Sequence, residues 1–305
     1  MFINDERCFL STGKFAEGNR SRSAGDLRAM EKQNNLAGAT RLDWPLPEVA
    51  RLTLARSSEL NTLTFEVIEG LHNALEMASA ERARVVIVTG DGRAFCAGAH
   101  VNYFIEPGYG LADDPSGIRD RYVKPIISAF RKLQDGPSVT IAAINGFALG
   151  GGCELALSCE FRLMAADARI GLTEARLGAV PGAGGLQLLA KIVGRARALE
   201  MFLLADQWSA EQALAAGLVS AVHSAKELPE ATLALARRLL LCSQMAIAAS
   251  KAAIYACETT SLDEADEIAL DAVRHVARGP DWREGMTAFA QQRPPGFAVN
   301  GKKLS

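Results

Sequence analysis

Two glutamates stand beside glycine-rich turns, where acid–base chemistry could be combined with binding of negative charge. Glu154 follows three consecutive glycines at 150–152, which separate an apolar, β-rich run from a helical segment. Glycines at such a junction let a ligand approach the main chain, and unpaired N–H groups at a helix start favour negative charge. A carboxylate in the first turn of a helix can also simply complement the helix dipole, which is the interpretation we would prefer for a lone Glu.

A second carboxylate weakens that simple interpretation. Glu174 comes after a strand-like segment at 169–172 and before the glycine-rich loop 178–185. Two carboxylates on turns, next to a backbone that binds anions, are typical of general acid–base catalysis with an oxyanion hole.

The order of elements predicts an α/β fold. Residues 49–55 alternate apolar and polar side chains as a half-exposed strand does, and residues 64–79 have an apolar helical face. Residues 84–89 form a β-branched run typical of a strand buried on both faces, and the apolar run 139–144 predicts a further strand. Strands that alternate with helices in this way indicate an α/β architecture.

The last third of the chain is predicted to be helical. Helices are expected at 196–205, 209–216, 226–241, 244–258 and 261–277. Ser209, followed three residues later by Gln212, predicts a capping box at the second of them. We therefore divide the chain into a flexible N-terminal extension (1–46), an α/β core with the active site (47–195) and a helical C-terminal association region with a tail (196–305).

Composition excludes several classes of function. A net charge of −2 gives no electrostatic footprint for nucleic acid or for an anionic membrane. The six cysteines are scattered without C-x-x-C spacing, and none of the four histidines is spaced with a cysteine as a metal ligand would be. We expect free thiols in a reducing cytoplasm, no metal site and no secretory signal at the polar N-terminus.

The glycine turn does not fit either of the common nucleotide-binding motifs. The run from Gly146 to Gly152 fails G-x-G-x-x-G, and no acidic residue follows a next strand at the distance of a ribose contact. No Gly-Lys-Ser/Thr follows the glycines, so a P-loop is absent as well.

Three motifs carry a family resemblance. The segments NGFALGGGCELA, TEARLGAVPGAGG and GRAFCAGAHVNYF resemble the crotonase (enoyl-CoA hydratase/isomerase) superfamily, and most of all the enoyl-CoA hydratases that keep both glutamates. The resemblance runs from about residue 49 to residue 297. It implies a crotonase-like spiral of repeated ββα units, with a C-terminal helical region that packs subunits into homotrimers, commonly paired into homohexamers.

The resemblance also implies roles for individual residues. The backbone N–H groups of Ala99 and Gly151 would form an oxyanion hole for the thioester carbonyl of an acyl-CoA. Glu154 would orient and activate water, and Glu174 would handle the proton at the α-carbon, so that water adds to a 2-enoyl-CoA. Such a hydratase needs no metal or redox cofactor, because CoA is part of the substrate.

His100 and Thr173 depart from the family pattern, which commonly has Asp and Pro at these positions. His100 could be a second titrating group at the mouth of the oxyanion hole, or it could pack or cap away from the site, which we favour. The first option keeps open a different crotonase reaction, namely isomerisation or hydrolysis of a C–C bond. A non-catalytic or RNA-binding member is a further alternative, which the glutamate pair and the modest charge disfavour.

Overall fold

The computed structural model describes residues 34–36 and 38–297, and its strands form a large and a small sheet. In chain order the strands are β1 (Asn34–Leu36), β2 (Thr40–Leu46), β3 (Val49–Leu54), β4 (Val85–Gly90), β5 (Ala94–Cys96), β6 (Val139–Ile144), β7 (Phe147–Leu149), β8 (Phe161–Ala165), β9 (Arg169–Gly171), β10 (Trp208–Ser209) and β11 (Ala221–His223). The large sheet has the order β1-β2-β3-β4-β6-β8-β11, and the small sheet has the order β10-β9-β7-β5. The pairs from β3 to β11 are parallel, and β1, β2 and β10 pair antiparallel.

Helices connect the parallel strands and form the last third of the described chain. They are α1 (Phe65–Ala80), α2 (Asn102–Ile105), α3 (Pro115–Gly117), α4 (Lys124–Asp135), α5 (Gly151–Leu157), α6 (Gly185–Val193), α7 (Arg195–Leu204), α8 (Ala210–Ala215), α9 (Leu228–Leu240), α10 (Gln244–Cys257), α11 (Leu262–Ala277) and α12 (Pro280–Ala290). A π-helical segment, Ile118–Val123, joins α3 to α4, and 3-10 turns lie at Ser57–Glu59, Pro107–Tyr109 and Glu174–Leu177.

The two sheets are built from a repeated unit. β4, β6 and β8 lie side by side in the large sheet, and each continues within a few residues into β5, β7 or β9 of the small sheet. A helical segment follows each pair and leads to the next, which is a ββα repeat. The predicted α/β fold with ββα units is therefore confirmed. Every residue of β6 is buried, as expected for a parallel strand covered on both faces.

The step from the large to the small sheet is fixed by an asparagine side chain. Asn145 follows β6 directly, and its Oδ1 accepts a hydrogen bond from the Gly90 N–H at the end of β4 (3.0 Å). Its Nδ2 donates to the Gly92 carbonyl at 3.0 Å. The sequence break at Asn145-Gly146 thus ties together the ends of two neighbouring strands, which aligns the small sheet that follows.

The predicted N-terminal extension is wrong at its C-terminal end. Residues 1–33 and 37 lie outside the described residues, but Thr40–Leu46 forms β2 and pairs with β3. The charged side chains of this strand are paired: Arg41 pairs with Asp91, and Asp43 pairs with Arg51. Within the described chain, the sheet therefore begins before residue 47. The boundary between core and helical region at residue 195 stays a prediction.

The predicted C-terminal helices agree with the structure to within two residues at either end. The capping box is confirmed, since the Ser209 hydroxyl accepts from the Gln212 N–H and the Gln212 side chain accepts from the Ser209 N–H. Helix α12 was not predicted. In the described part of the chain, no single helix is long and apolar enough to cross a membrane. Helices α9 and α10 meet that test only together, and the chain bends by 102° between them.

Candidate active site

The turn between β7 and α5 can be made only by glycines. Gly150 has φ 53° and ψ −124°, a conformation that is costly for other residues. A Cβ added to Gly152 would lie 1.9 Å from the carbonyl oxygen of Cys96, at the end of β5. The start of α5 therefore packs directly against the backbone of the neighbouring strand, which brings Glu154 into the interior.

The carboxyl group of Glu154 is held by the loop that precedes α6. The residue is 3% exposed, and its Oε1 accepts hydrogen bonds from the N–H groups of Ala183 (2.7 Å) and Gly185 (2.8 Å). Burial raises the pKa of Glu154 to about 7, the two backbone N–H groups oppose that change, and the negative charge of Glu174 adds to it. A carboxyl group with this pKa exchanges a proton readily near neutral pH.

Glu174 lies against the same glycine turn from the other side. It begins the 3-10 turn Glu174–Leu177, and its Oε1 would be 3.0 Å from a Cβ added to Gly150. Its Oε2 is buried and has no hydrogen-bond partner within the described part of the chain. Burial raises the pKa of this carboxyl group, against the effect of the backbone N–H groups of Glu174 and Thr173. An unpaired buried carboxyl oxygen is suited to bind or transfer a proton.

The two predicted backbone donors come from segments in direct contact. Gly98 has φ +93°, and a Cβ added there would lie 3.3 Å from the nitrogen of Gly151. Gly151 is the first residue of α5, so its N–H has no acceptor within the helix. Ala99 forms a parallel bridge with Leu63, and the Leu63 N–H donates to the Gly98 carbonyl at 2.8 Å. The turn around Ala99 and the start of α5 therefore lie next to the two carboxyl groups.

His100 is turned towards the segment before α1. Its Nδ1 is 3.0 Å from the Thr62 hydroxyl and 3.9 Å from Oε2 of Glu59. Its ring packs edge-on against Tyr103, with 4.7 Å between the ring centroids. Its recorded contacts are those of a packed side chain, as in the interpretation favoured from the sequence. Neither glutamate of the candidate site is among these partners.

Sequence reasoning missed two groups of site residues. The N–H groups that bind Glu154 belong to Ala183 and Gly185, inside the quoted motif TEARLGAVPGAGG but without a role assigned there. Their signal is the small-residue loop itself, because a Cβ on Gly185 would lie 3.0 Å from Oε1 of Glu154. The second is the hydroxyl of Tyr122, a residue that the sequence suggested only as a possible lining of the acyl pocket; it contacts the backbone of Leu63 and of His100.

Metal-ligand clusters and buried thiols were the other chemical groups to compare with the two carboxyl groups. No group of three or more His, Cys, Asp or Glu side chains among them could hold a metal ion. Burial raises the pKa of the Cys96 and Cys159 thiols to about 12, and it raises that of Cys153 as well. Because the thiolate is the nucleophilic form, these buried cysteines are unsuited to covalent catalysis.

The chain is similar in sequence and in fold to enzymes named for acyl-CoA substrates. The family model of enoyl-CoA hydratase/isomerase matches residues 47–300. A crotonyl-CoA hydratase of Syntrophomonas wolfei is 35% identical over 252 residues, which cover 82% of this chain and 94% of the relative. A 1,2-epoxyphenylacetyl-CoA isomerase of Escherichia coli is 34% identical over 250 residues, with coverages of 82% and 94%. The crystal structure of an enoyl-CoA hydratase from Bacillus anthracis superposes with a TM-score of 0.79 at 33% identity, covering 87% of this chain and all of that one (100%).

Proposed function

Because this chain belongs to the enoyl-CoA hydratase/isomerase family, we propose that it is a hydratase that adds water across the 2,3 double bond of a 2-enoyl-CoA thioester. The observation that carries the proposal is that the carboxyl groups of buried Glu154 and half-buried Glu174 lie at one glycine turn. Glu154 has one oxygen fixed by two backbone N–H groups, and Glu174 has one buried oxygen without a partner. A hydratase needs both a base for water and an acid for carbon, and this chain retains both carboxyl groups.

The chemistry divides between the four predicted groups. The Ala99 and Gly151 N–H groups bind the thioester oxygen, which becomes negative as the double bond accepts a nucleophile. Glu154 in its ionised form takes a proton from water, whose oxygen bonds to the β-carbon. Glu174 in its protonated form donates a proton to the α-carbon, so the product gains one hydroxyl group and one proton, the elements of water. Glu154 is then protonated and Glu174 is ionised, and the starting state returns when Glu154 releases its proton to solvent and Glu174 takes one up. Burial raises the pKa of both carboxyl groups, and that of Glu154 to about 7, so Glu154 can exchange a proton close to neutral pH.

Isomerisation of the double bond is the second candidate. One of the relatives is named an isomerase at almost the same identity as the hydratase. An isomerase removes and returns a proton with one acid–base group and incorporates no water. Hydrolysis of a C–C bond by His100 is less favoured, since that ring bonds to Thr62 and packs against Tyr103. The net charge of −2 also disfavours an RNA-binding role.

The test is turnover of crotonyl-CoA, together with a panel of longer, branched and aromatic enoyl-CoAs, with products identified by mass. A gain of the mass of one water supports a hydratase. An unchanged mass with a moved double bond supports an isomerase and overturns the proposal.

Variants separate the residue roles on one accepted substrate. We expect E154Q and E174Q each to lower kcat by about 10²- to 10⁴-fold, because glutamine keeps the shape but exchanges no proton. His100→Ala is the matched control and should cost little. Full hydration by E154Q, or a larger loss in His100→Ala than in E154Q, would contradict the assigned roles.

We further propose that the protein acts in the cytoplasm as a homotrimer or homohexamer, without a metal or redox cofactor. The exposed apolar side chains of the last helices support association, and the four protein groups above complete the reaction. Light scattering at micromolar concentration tests the assembly. Activity that is unchanged by EDTA and by removal of small molecules tests the cofactor.

A further inference from the structure

The peptide unit that would bind the thioester oxygen is held through its carbonyl group. The N–H of Ala99 and the carbonyl of Gly98 belong to the same planar peptide group and point in opposite directions. The Leu63 N–H donates to that carbonyl at 2.8 Å, so the bond from Leu63 sets where the Ala99 N–H points. Gly98 itself, at φ +93°, offers little stiffness because glycine moves freely in this region.

The hydroxyl group of Tyr122 contacts the backbone of both Leu63 and His100. The Tyr122 hydroxyl donates to the Leu63 carbonyl at 2.6 Å and accepts from the His100 N–H at 3.1 Å. Leu63 is the residue that holds Gly98, and His100 follows Ala99 directly. The hydroxyl therefore joins the backbone on the two sides of the predicted oxyanion-hole donor.

The environment keeps this phenol in place and protonated. Tyr122 is 2% exposed, and its ring packs edge-on against Phe65, Tyr103 and Phe104. Burial raises its pKa far above the usual value for tyrosine, so the hydroxyl remains a donor at every working pH. The ring is thus a fixed support for the hydrogen bonds.

The element that carries Tyr122 also contacts the other half of the site. The π-helical segment Ile118–Val123 ends in Val123, whose Cγ1 would be 3.0 Å from a Cβ added to Gly182. Gly182 precedes Ala183, whose N–H binds Glu154. Wide π-helical turns recur at functional sites, and this one packs between the oxyanion-hole turn and the loop that holds a carboxyl group.

We propose that Tyr122 is a positioning residue whose hydroxyl aligns the Ala99 N–H with the thioester oxygen. The inference rests on the proposed acyl-CoA chemistry, although it does not depend on which reaction follows carbonyl binding. It distinguishes Tyr122 from Tyr103, a neighbour in the same ring cluster whose hydroxyl accepts from the Phe65 N–H at 3.2 Å. The two tyrosines therefore supply a matched pair of variants.

The experiment measures the carbonyl of a bound thioester directly. The probe is [1-¹³C]butyryl-CoA, which is saturated and cannot be hydrated, and the readout is its C=O stretching frequency by difference infrared spectroscopy. Wild type and Y103F should lower the frequency on binding, and Y122F should lose a large part of that shift. On crotonyl-CoA, Y122F should reduce kcat by about tenfold, below the ~10²-fold or more expected for loss of a donor itself, with KM changed by less than about twofold.

The outcomes separate this inference from the proposed reaction. A carbonyl shift without any hydration product in wild type removes the hydratase proposal and leaves the role of Tyr122 standing. An equal shift and equal kcat in Y122F and wild type overturn the role of Tyr122. A wild type that binds the probe without a shift overturns it too, since the Ala99 N–H would then polarise nothing.

A second variant covers the case in which Y122F does not fold. Site-specific 3-fluorotyrosine at position 122 keeps the ring packing and the hydroxyl, but its oxygen is a poorer acceptor for the His100 N–H. The carbonyl frequency of the bound probe should differ from that of wild type, whereas the same replacement at position 103 should leave it unchanged. An unchanged frequency with the replacement at position 122 overturns the inference.

Discussion

The glycine turn around α5 and the last three helices use apolar and polar groups in opposite ways. At the turn, a carboxyl side chain is buried among backbone N–H groups. In α10–α12 the reverse holds: Leu262, Leu270 and Phe289 are 79%, 61% and 82% exposed, and α11 has no buried residue. The glycine turn is closely packed, whereas α10–α12 expose apolar surface that is available for contact with another molecule.

The two regions are joined by a buried polar cluster. Lys251 of α10 forms an ion pair with Oε1 of Glu160 at 3.0 Å, and it donates to the carbonyls of Leu133 and Ser138 at 2.8 Å each. Glu160 also accepts from the N–H and hydroxyl of Thr140 in β6. The helical region is therefore attached to the strand that leads into the site. Because each region has its own kind of packing, substitutions should affect them differently.

The largest effect on stability and activity should come from G152A. The added methyl group would meet the Cys96 carbonyl at 1.9 Å, and backbone cannot move aside cheaply. We expect little folded protein, or a protein with Tm lowered by more than about 8 °C and hydration reduced by more than ~10²-fold. The matched control is G108A, since nothing lies within 4 Å of a Cβ at that position. Equal Tm and activity in the two variants would contradict the close packing described for α5.

The next largest effect on the free energy of unfolding should come from K251M, which removes the ion pair between the two regions. Removing one partner of a buried ion pair typically costs about 3–5 kcal/mol, because the other charge stays buried. K191M is the control: Lys191 pairs with Glu258 on the surface, where such pairs contribute about 1 kcal/mol or less. Urea unfolding of both variants measures the difference. Equal free energies of unfolding would show that the buried cluster does not hold α10 in place.

A smaller effect on stability should come from a change of pH. The pKa of Glu154 is about 7 in the folded protein against 4.5 as its reference, so the folded state binds more protons between those values. Stability from this group is fully present below pH ~4.5 and is lost as pH rises through ~7, by at most about 3 kcal/mol. E154Q removes the titration, so the Tm difference between E154Q and wild type should change over this window. Parallel Tm curves would show that Glu154 does not titrate there.

Local patterns made much of the large sheet and the helical region predictable. The run of residues 139–144 was predicted as a strand and forms β6 with those bounds. Ser209 and Gln212 predicted their helix start because capping is a local interaction. β2 was missed although Leu42, Trp44 and Leu46 alternate with polar residues, because Pro45 interrupts the run and a proline counts against a strand.

The candidate site was predictable in its residue types but only partly in its supports. Glu154 and Glu174 stand out because each follows or precedes glycines, and the structure brings both to one turn. The hydroxyl of Tyr122 could not be assigned from the sequence. Its partners, Leu63 and His100, are 59 and 22 residues away along the chain. A tyrosine in a polar, irregular segment looks the same whether its hydroxyl is exposed or bridges two backbone groups.

The smallest effect on the stability of a single chain should come from charge placed on the exposed apolar surface. L270E and F289E alter side chains that contribute little to the interior, so far-UV circular dichroism should match wild type. If α10–α12 mediate the proposed trimer or hexamer, each glutamate becomes buried without a partner in the assembly, which is costly. Sedimentation should then show smaller species for both variants, whereas L214E on α8 should leave the assembly unchanged. Unchanged sedimentation of L270E and F289E would place the association surface elsewhere on the chain.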